Sequence, residues 1–172
     1  MRKQGIRQFH MNRSPPPSQE QGILDSLRQE LRSSQKAPSV KIVAAFAKAL
    51  EALEASKISI KGAVKIGLEE GYKSVFETCS DEGLVRRLVS LILRDLAKER
   101  NRNSNPSLFL KFLGFQNLSL LNDQVLEQVS VFLISRLNKY ISCDKNVFYV
   151  FYRMLRNNVQ LKQKTKLLIL NA

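Results

Sequence analysis

The chain has a single histidine, His10, and it lies in a stretch without helical patterning. That excludes a histidine-based triad, zinc site or acid–base pair from the folded body. Its two cysteines, Cys79 and Cys143, fall on different expected helices and show neither metal nor redox spacing, so they form no disulfide framework. The N-terminal stretch MRKQGIRQFHMNRSPPP has no apolar core of the secretory kind. Together these point to a reducing, intracellular compartment, nucleus or cytoplasm. Arg2, Lys3, Arg7 and Arg13 all precede the first acidic residue, Glu20, a composition that leaves mitochondrial import open. The longest uninterrupted apolar run, Val147 to Tyr152, is far short of the roughly 20 residues a membrane span needs. Glycine (7) and proline (5) are too scarce for the many turns of an all-β fold, which favours helices.

Acidic residues are also few. Fifteen Asp and Glu against 28 Lys and Arg leave a net charge of +13 in a chain of 172 residues. Such a balance speaks of partners rather than fold: nucleic acid, an acidic protein or an anionic membrane surface. The membrane surface is disfavoured, because no amphipathic helix carries clustered basic flanks.

What is present is helical periodicity. Residues 1–17 read as a flexible basic arm ending in Pro15-Pro16-Pro17. Residues 18–38 read as a helix and linker, docked or semi-detached, with Ser18 as cap and Leu24, Leu27 and Leu31 as a narrow stripe. Residues 39–172 read as a single all-helical domain. Ser39 is expected to cap a helix to about Ala55, with Val43, Phe46, Leu50 and Leu53 inward. Ser59 caps the next, Gly71 ends it, and a short helix over 72–79 follows with Val75 and Phe76 inward. Ser80, with Asp81 and Glu82, starts a long helix to about Arg100, whose Asp95 is expected to meet an arginine of a neighbouring helix. A polar loop over 101–106 leads to a short helix over 107–114. Asn122 then caps a helix over 123–140, apolar on most sides and so expected to be central. Ser142 or Asp144 begins a helix over 144–156, with Val147, Phe148, Phe151, Met154 and Leu155 facing the core. A strand was the competing expectation for its six β-branched and aromatic residues. Asn157-Asn158 breaks it, and a last segment runs from Val159 to Leu170, with an apolar end at Leu167 to Leu170 that suits self-association.

Long and short helices thus alternate: 39–55 with 59–79, 84–100 with 107–114, and 123–140 with 144–156. Leu84, Leu88, Ile92 and Leu96 align with Val125, Val129, Leu133 and Leu137 forty-one residues on, and Ile42, Phe46 and Leu50 align with Leu84, Leu88 and Ile92. The apolar spacing resembles armadillo or HEAT helical repeats, which run at about 40 to 47 residues. The resemblance covers at most residues 39–156 and implies a binding scaffold. The expected fold is all-α: tandem helix pairs forming a helical bundle or a short superhelix.

Little in the sequence carries catalysis, so an enzyme, a cofactor and a metal are not expected. Gly62 and Gly67 mimic the start of a phosphate-binding loop, but Leu68 and Glu69 stand where lysine and a hydroxyl belong. Glu69-Glu70 and Asp81-Glu82 are adjacent pairs that diverge on a helix. Binding is better supported. Lys145, Tyr149, Arg153 and Arg156 follow one helical stripe, interleaving cations with an aromatic ring. Guanidinium groups hold phosphates by paired hydrogen bonds, and tyrosine stacks on unpaired bases. Lys162, Lys164 and Lys166 extend this basic end. Arg87, Arg94, Lys98, Arg100 and Arg102 make a second patch. The leading expectation is a non-enzymatic protein that binds RNA, before DNA, through phosphates with weak sequence selectivity. The alternative is a scaffold whose basic groove takes an acidic protein partner.

Overall fold

A computed structural model describes residues 18–34, 38–98, 106–137, 145–157 and 161–171. The expected arm (1–17), most of the linker and loop (35–37 and 101–105), the cap at Ser142 or Asp144 and the break at Asn158 lie outside the described residues. Among the described residues there is no strand. The elements are α1 (Gln19–Ser33), α2 (Ser39–Ala55), α3 (Lys61–Glu69), α4 (Lys73–Thr78), α5 (Glu82–Lys98), α6 (Pro106–Phe115), a 3-10 turn (Leu118–Leu120), α7 (Asp123–Leu137), α8 (Lys145–Asn157) and α9 (Gln163–Leu170). The fold is all-α, and the run Val147 to Tyr152 is helix.

Local chemistry sets most of the boundaries. The Ser18 hydroxyl accepts from Gln21 N at 3.2 Å, and Asn122 Oδ1 accepts from Val125 N at 3.0 Å, each satisfying a donor that a helix start leaves orphaned. Three expected caps differ. Ser59 precedes Ile60, the residue at the N-cap of α3, and its hydroxyl accepts from Lys61 N at 3.2 Å. Ser39 is the first residue of α2 and makes no cap bond. At α5 the cap is Asp81, whose Oδ1 accepts from Leu84 N at 3.0 Å, in place of Ser80. The end of α2 is closed by Lys57 at φ 58°, with Ile58 N bonded to Leu53 O and Lys57 N to Glu54 O. These are the crossed bonds of a Schellman turn, here with a lysine in the left-handed position that glycine usually takes.

The core centres on three fully buried rings from three helices. Phe46 (α2) meets Phe76 (α4) at 5.1 Å between centroids, and Phe76 meets Phe112 (α6) at 4.9 Å, both edge to face. Gly67 on α3 lets the rings close in: a Cβ there would lie 2.7 Å from Phe112. The stripe of α1, Leu24, Leu27 and Leu31, is buried against this body, and Glu30 pairs with Lys48 of α2 at 2.7 Å.

Helix pairs stack on their neighbours. Packing joins α2 to α5, α3 and α4 to α6, α6 to α8, and α7 to α9. Phe46, Leu88 and Val129 are buried at one aligned position, and Leu50, Ile92 and Leu133 at the next. Polar links between helices recur at separations near one helix pair: Ser59–Asp95 at 36 residues, Asn117–Cys79 at 38, Asn146–Ser107 at 39 and Arg94–Glu54 at 40. The partner numbers rise together, Glu51 with Arg87 and Glu54 with Arg94, so α2 and α5 run the same way.

Two expectations fail on this packing. Among the described residues Asp95 meets no arginine. It is buried, and its Oδ2 accepts from the Ser59 hydroxyl at 3.2 Å and Ile60 N at 3.3 Å, so it anchors the start of α3. Nor is α7 central. The ring cluster belongs to α2, α4 and α6, and α7 lies against α8 and α9 with Val131 50% exposed.

Candidate nucleic-acid interface

The rotation of α8 about its own axis decides which cations face solvent. Val147, Val150, Phe151 and Met154 are buried. Tyr149 lies against α6, where a Cβ on Gly114 would come within 2.7 Å of its ring. The absent side chain at Gly114 therefore seats Tyr149 and turns Arg153, one helical turn further on, inward as well.

Arg153 is only 9% exposed, so it offers no phosphate contact. Its guanidinium is paired with Glu77 of α4 and donates to the Tyr149 hydroxyl at 3.4 Å. Burial pulls its pKa down, but the hydrogen bonds to Tyr149 and Glu77 and the Glu77 charge outweigh burial, and the net direction is up. Glu77 also faces the Lys73 ammonium at 3.8 Å, and that ammonium lies 5.8 Å from the Tyr149 ring centroid. Tyr149 and Arg153 thus form the seam between α8, α4 and α6. The expected stripe is divided, with Lys145 and Arg156 left at the surface.

The outward face of α8 is instead Lys145, Phe148, Tyr152 and Arg156. Phe148, expected in the core, is 56% exposed, and Tyr152 is 54% exposed. Six consecutive apolar residues cover a whole helical circumference, so a helix packed on one side must turn some of them out. That arithmetic was the available sequence signal. Arg156 lies 5.9 Å from the Tyr152 ring centroid and donates to its hydroxyl at 3.3 Å. Among the described residues, neither Lys145 nor Arg156 has a carboxylate within ion-pair reach. From the first position to the last is a stretch of 12 residues, about 16 Å of helix.

Most other expected contact residues are engaged within the molecule. On α5, Arg87 pairs with Glu51, Arg94 with Glu54 at 3.0 Å, and Lys98 with Asp95 at 3.8 Å. Arg86, Arg87, Ser90 and Arg94 line an open groove of about 690 Å³ opposite Glu51 and Glu54, so its charge is largely balanced. Arg100 and Arg102 lie outside the described residues. On α9, Lys164 pairs with Glu127 at 2.5 Å, and this hydrogen bond, helped by the Glu127 charge, raises the ammonium pKa. Lys162 lies 4.0 Å from Asp123, which also accepts from the Lys162 backbone N–H at 3.0 Å. Lys166 is half-buried on the same helix. Except for Lys98–Asp95, which lies within α5, these pairs are rails between stacked elements, and exposed pairs of this kind stabilise only weakly.

Among the described residues no group of three or more His, Cys, Asp and Glu is placed to hold a metal ion, and no helix is long and apolar enough to cross a membrane. A second groove, about 420 Å³, runs between α1 and α2 and is lined mainly by Gly22, Ile23, Leu27, Ala45, Ala49 and Ala52, with the Glu30–Lys48 pair at its edge. Comparison with protein families, curated proteins and solved structures finds no match.

Proposed function

We propose that this chain is a non-enzymatic helical protein that binds nucleic acid, RNA before DNA, through the outward face of α8 with weak sequence selectivity. The observation that carries the proposal is the row Lys145, Phe148, Tyr152 and Arg156 on a chain of net charge +13. Its two cations have no acidic partner among the described residues, so a phosphate displaces no carboxylate when it binds. Arg156 offers a planar fork for phosphate oxygens and Lys145 a point charge. Such contacts position a strand without reading its bases. The recurring links at 36 to 40 residues support a short HEAT- or armadillo-like superhelix as the scaffold. An intracellular location follows from the same partner.

Photo-crosslinking to uridine-containing RNA tests the proposal. The crosslinked peptide is expected to span residues 145–157. Crosslinks confined to α5 or to the N-terminal arm would contradict it. A second reading, a scaffold for an acidic protein, is favoured by the exposed apolar side chains Leu167 (47%) and Leu170 (68%) on α9. It predicts a partner lost on Leu167→Asp/Leu170→Asp, with RNA crosslinking near that of any basic protein.

A further inference from the structure

Resting on the nucleic-acid proposal above, we infer that α8 is a single-strand platform, on which Phe148 and Tyr152 each stack an unpaired base between the phosphate contacts of Lys145 and Arg156.

The two rings are not needed for the fold. Val147, Val150, Phe151 and Met154 already supply the buried face of α8, while Phe148 and Tyr152 stand more than half exposed on the other side. Aromatic faces left in water beside unpaired cations are an arrangement that a strand with free bases satisfies at both kinds of group. The spacing agrees. Residues four apart on a helix carry Cβ atoms about 6 Å apart, near twice the 3.4 Å between stacked bases. Successive bases inside a duplex keep both faces covered and cannot reach rings so placed. A strand with unpaired bases opens to match them.

Arg156 sharpens the site. Its guanidinium lies 5.9 Å from the Tyr152 ring centroid and is tied to the hydroxyl, which fixes the ring and leaves its exposed face for a base. An arginine beside a stacking ring adds a cation to the contact with a base. Every base has a π face, so the platform selects single strands over duplexes without selecting sequence. The order cation, ring, ring, cation also suits a polymer that alternates planar faces with regularly spaced negative charges better than it suits an acidic helix, whose apolar side chains need a groove and here meet a ridge.

The test uses the full chain and three probes: a labelled single-stranded RNA, the same strand annealed to its complement, and an abasic oligomer of equal length that keeps every phosphate. Wild type is expected to bind the single strand about tenfold or more tightly than the other two. Phe148→Ala/Tyr152→Ala is expected to lose that margin and bind all three alike, with an unchanged salt slope, because no phosphate contact is removed. Both rings are exposed, so circular dichroism should show an intact fold. The chain has no tryptophan, so Tyr152→Trp adds a lone reporter whose emission is quenched by the single strand and not by the abasic oligomer. Equal wild-type affinity for single-stranded and abasic probes, or an alanine variant that keeps the wild-type margin, overturns the stacking platform and leaves phosphate binding standing. Salt-insensitive or absent binding of all three probes overturns nucleic-acid binding itself.

Discussion

Arg153 shows how one side chain changes role with a rotation of its helix. A guanidinium taken out of water is stabilised only while its partners stay, so breaking this cluster costs more than replacing it. Arg153→Met leaves Glu77 with the looser Lys73 contact and the Tyr149 hydroxyl unpaired, and is expected to cost about 1–3 kcal/mol in urea denaturation. Glu77→Gln/Arg153→Met should recover a large part of that loss, because neither charge is then stranded. A pair of purely additive losses would show that the two groups do not act together. Reversing Arg153 is therefore a poor probe of binding, since it disturbs the seam first. Phe148 is the complementary case: its apolarity suits burial, yet α8 has another face to bury.

At the scale of elements, helix positions were largely legible, and helix rotations were not. The stripes of α1, α2 and α5 each have one apolar face, and Leu24, Phe46 and Leu88 are buried as that spacing requires. Ser18 and Asn122 cap as their chemistry suggests. In α8 the apolar residues surround the axis, so spacing names no inward side. The choice is made by Gly114, on a helix some 35 residues earlier, whose missing side chain accepts Tyr149. Likewise, nothing local shows that Arg87 belongs to Glu51 or Lys164 to Glu127; those pairs exist only once helix pairs stack. Gly114→Ala is thus expected to push α8 from α6 and cost about 1–3 kcal/mol, read as a lowered urea midpoint. Adding Tyr149→Ala should offset part of the strain while leaving a smaller loss from the ring itself. An unaffected midpoint in Gly114→Ala would mean that Tyr149 does not set the rotation of α8.

At the scale of the whole molecule, the charge divides into two populations. Among the described residues, eleven ion pairs tie cations to nearby carboxylates, and six of them, those of Lys48, Arg87, Arg94, Arg153, Lys162 and Lys164, join different elements. These hold the stack together and are weakened by salt. Lys145 and Arg156 belong to the other population, available to a polyanion. The distinction gives a matched comparison: Lys145→Glu/Arg156→Glu and Arg87→Glu/Arg94→Glu change the net charge equally. The measurement to make is fluorescence anisotropy of a labelled single-stranded RNA, titrated at several salt concentrations, on wild type and both double variants. The account predicts salt-dependent wild-type binding, with a log–log slope of about −0.7 for each phosphate neutralised. It predicts a large loss of affinity and a slope shallower by about 1.4 for Lys145→Glu/Arg156→Glu, and a much smaller change for Arg87→Glu/Arg94→Glu. Equal losses in the two variants, or wild-type affinity indifferent to salt, would contradict it.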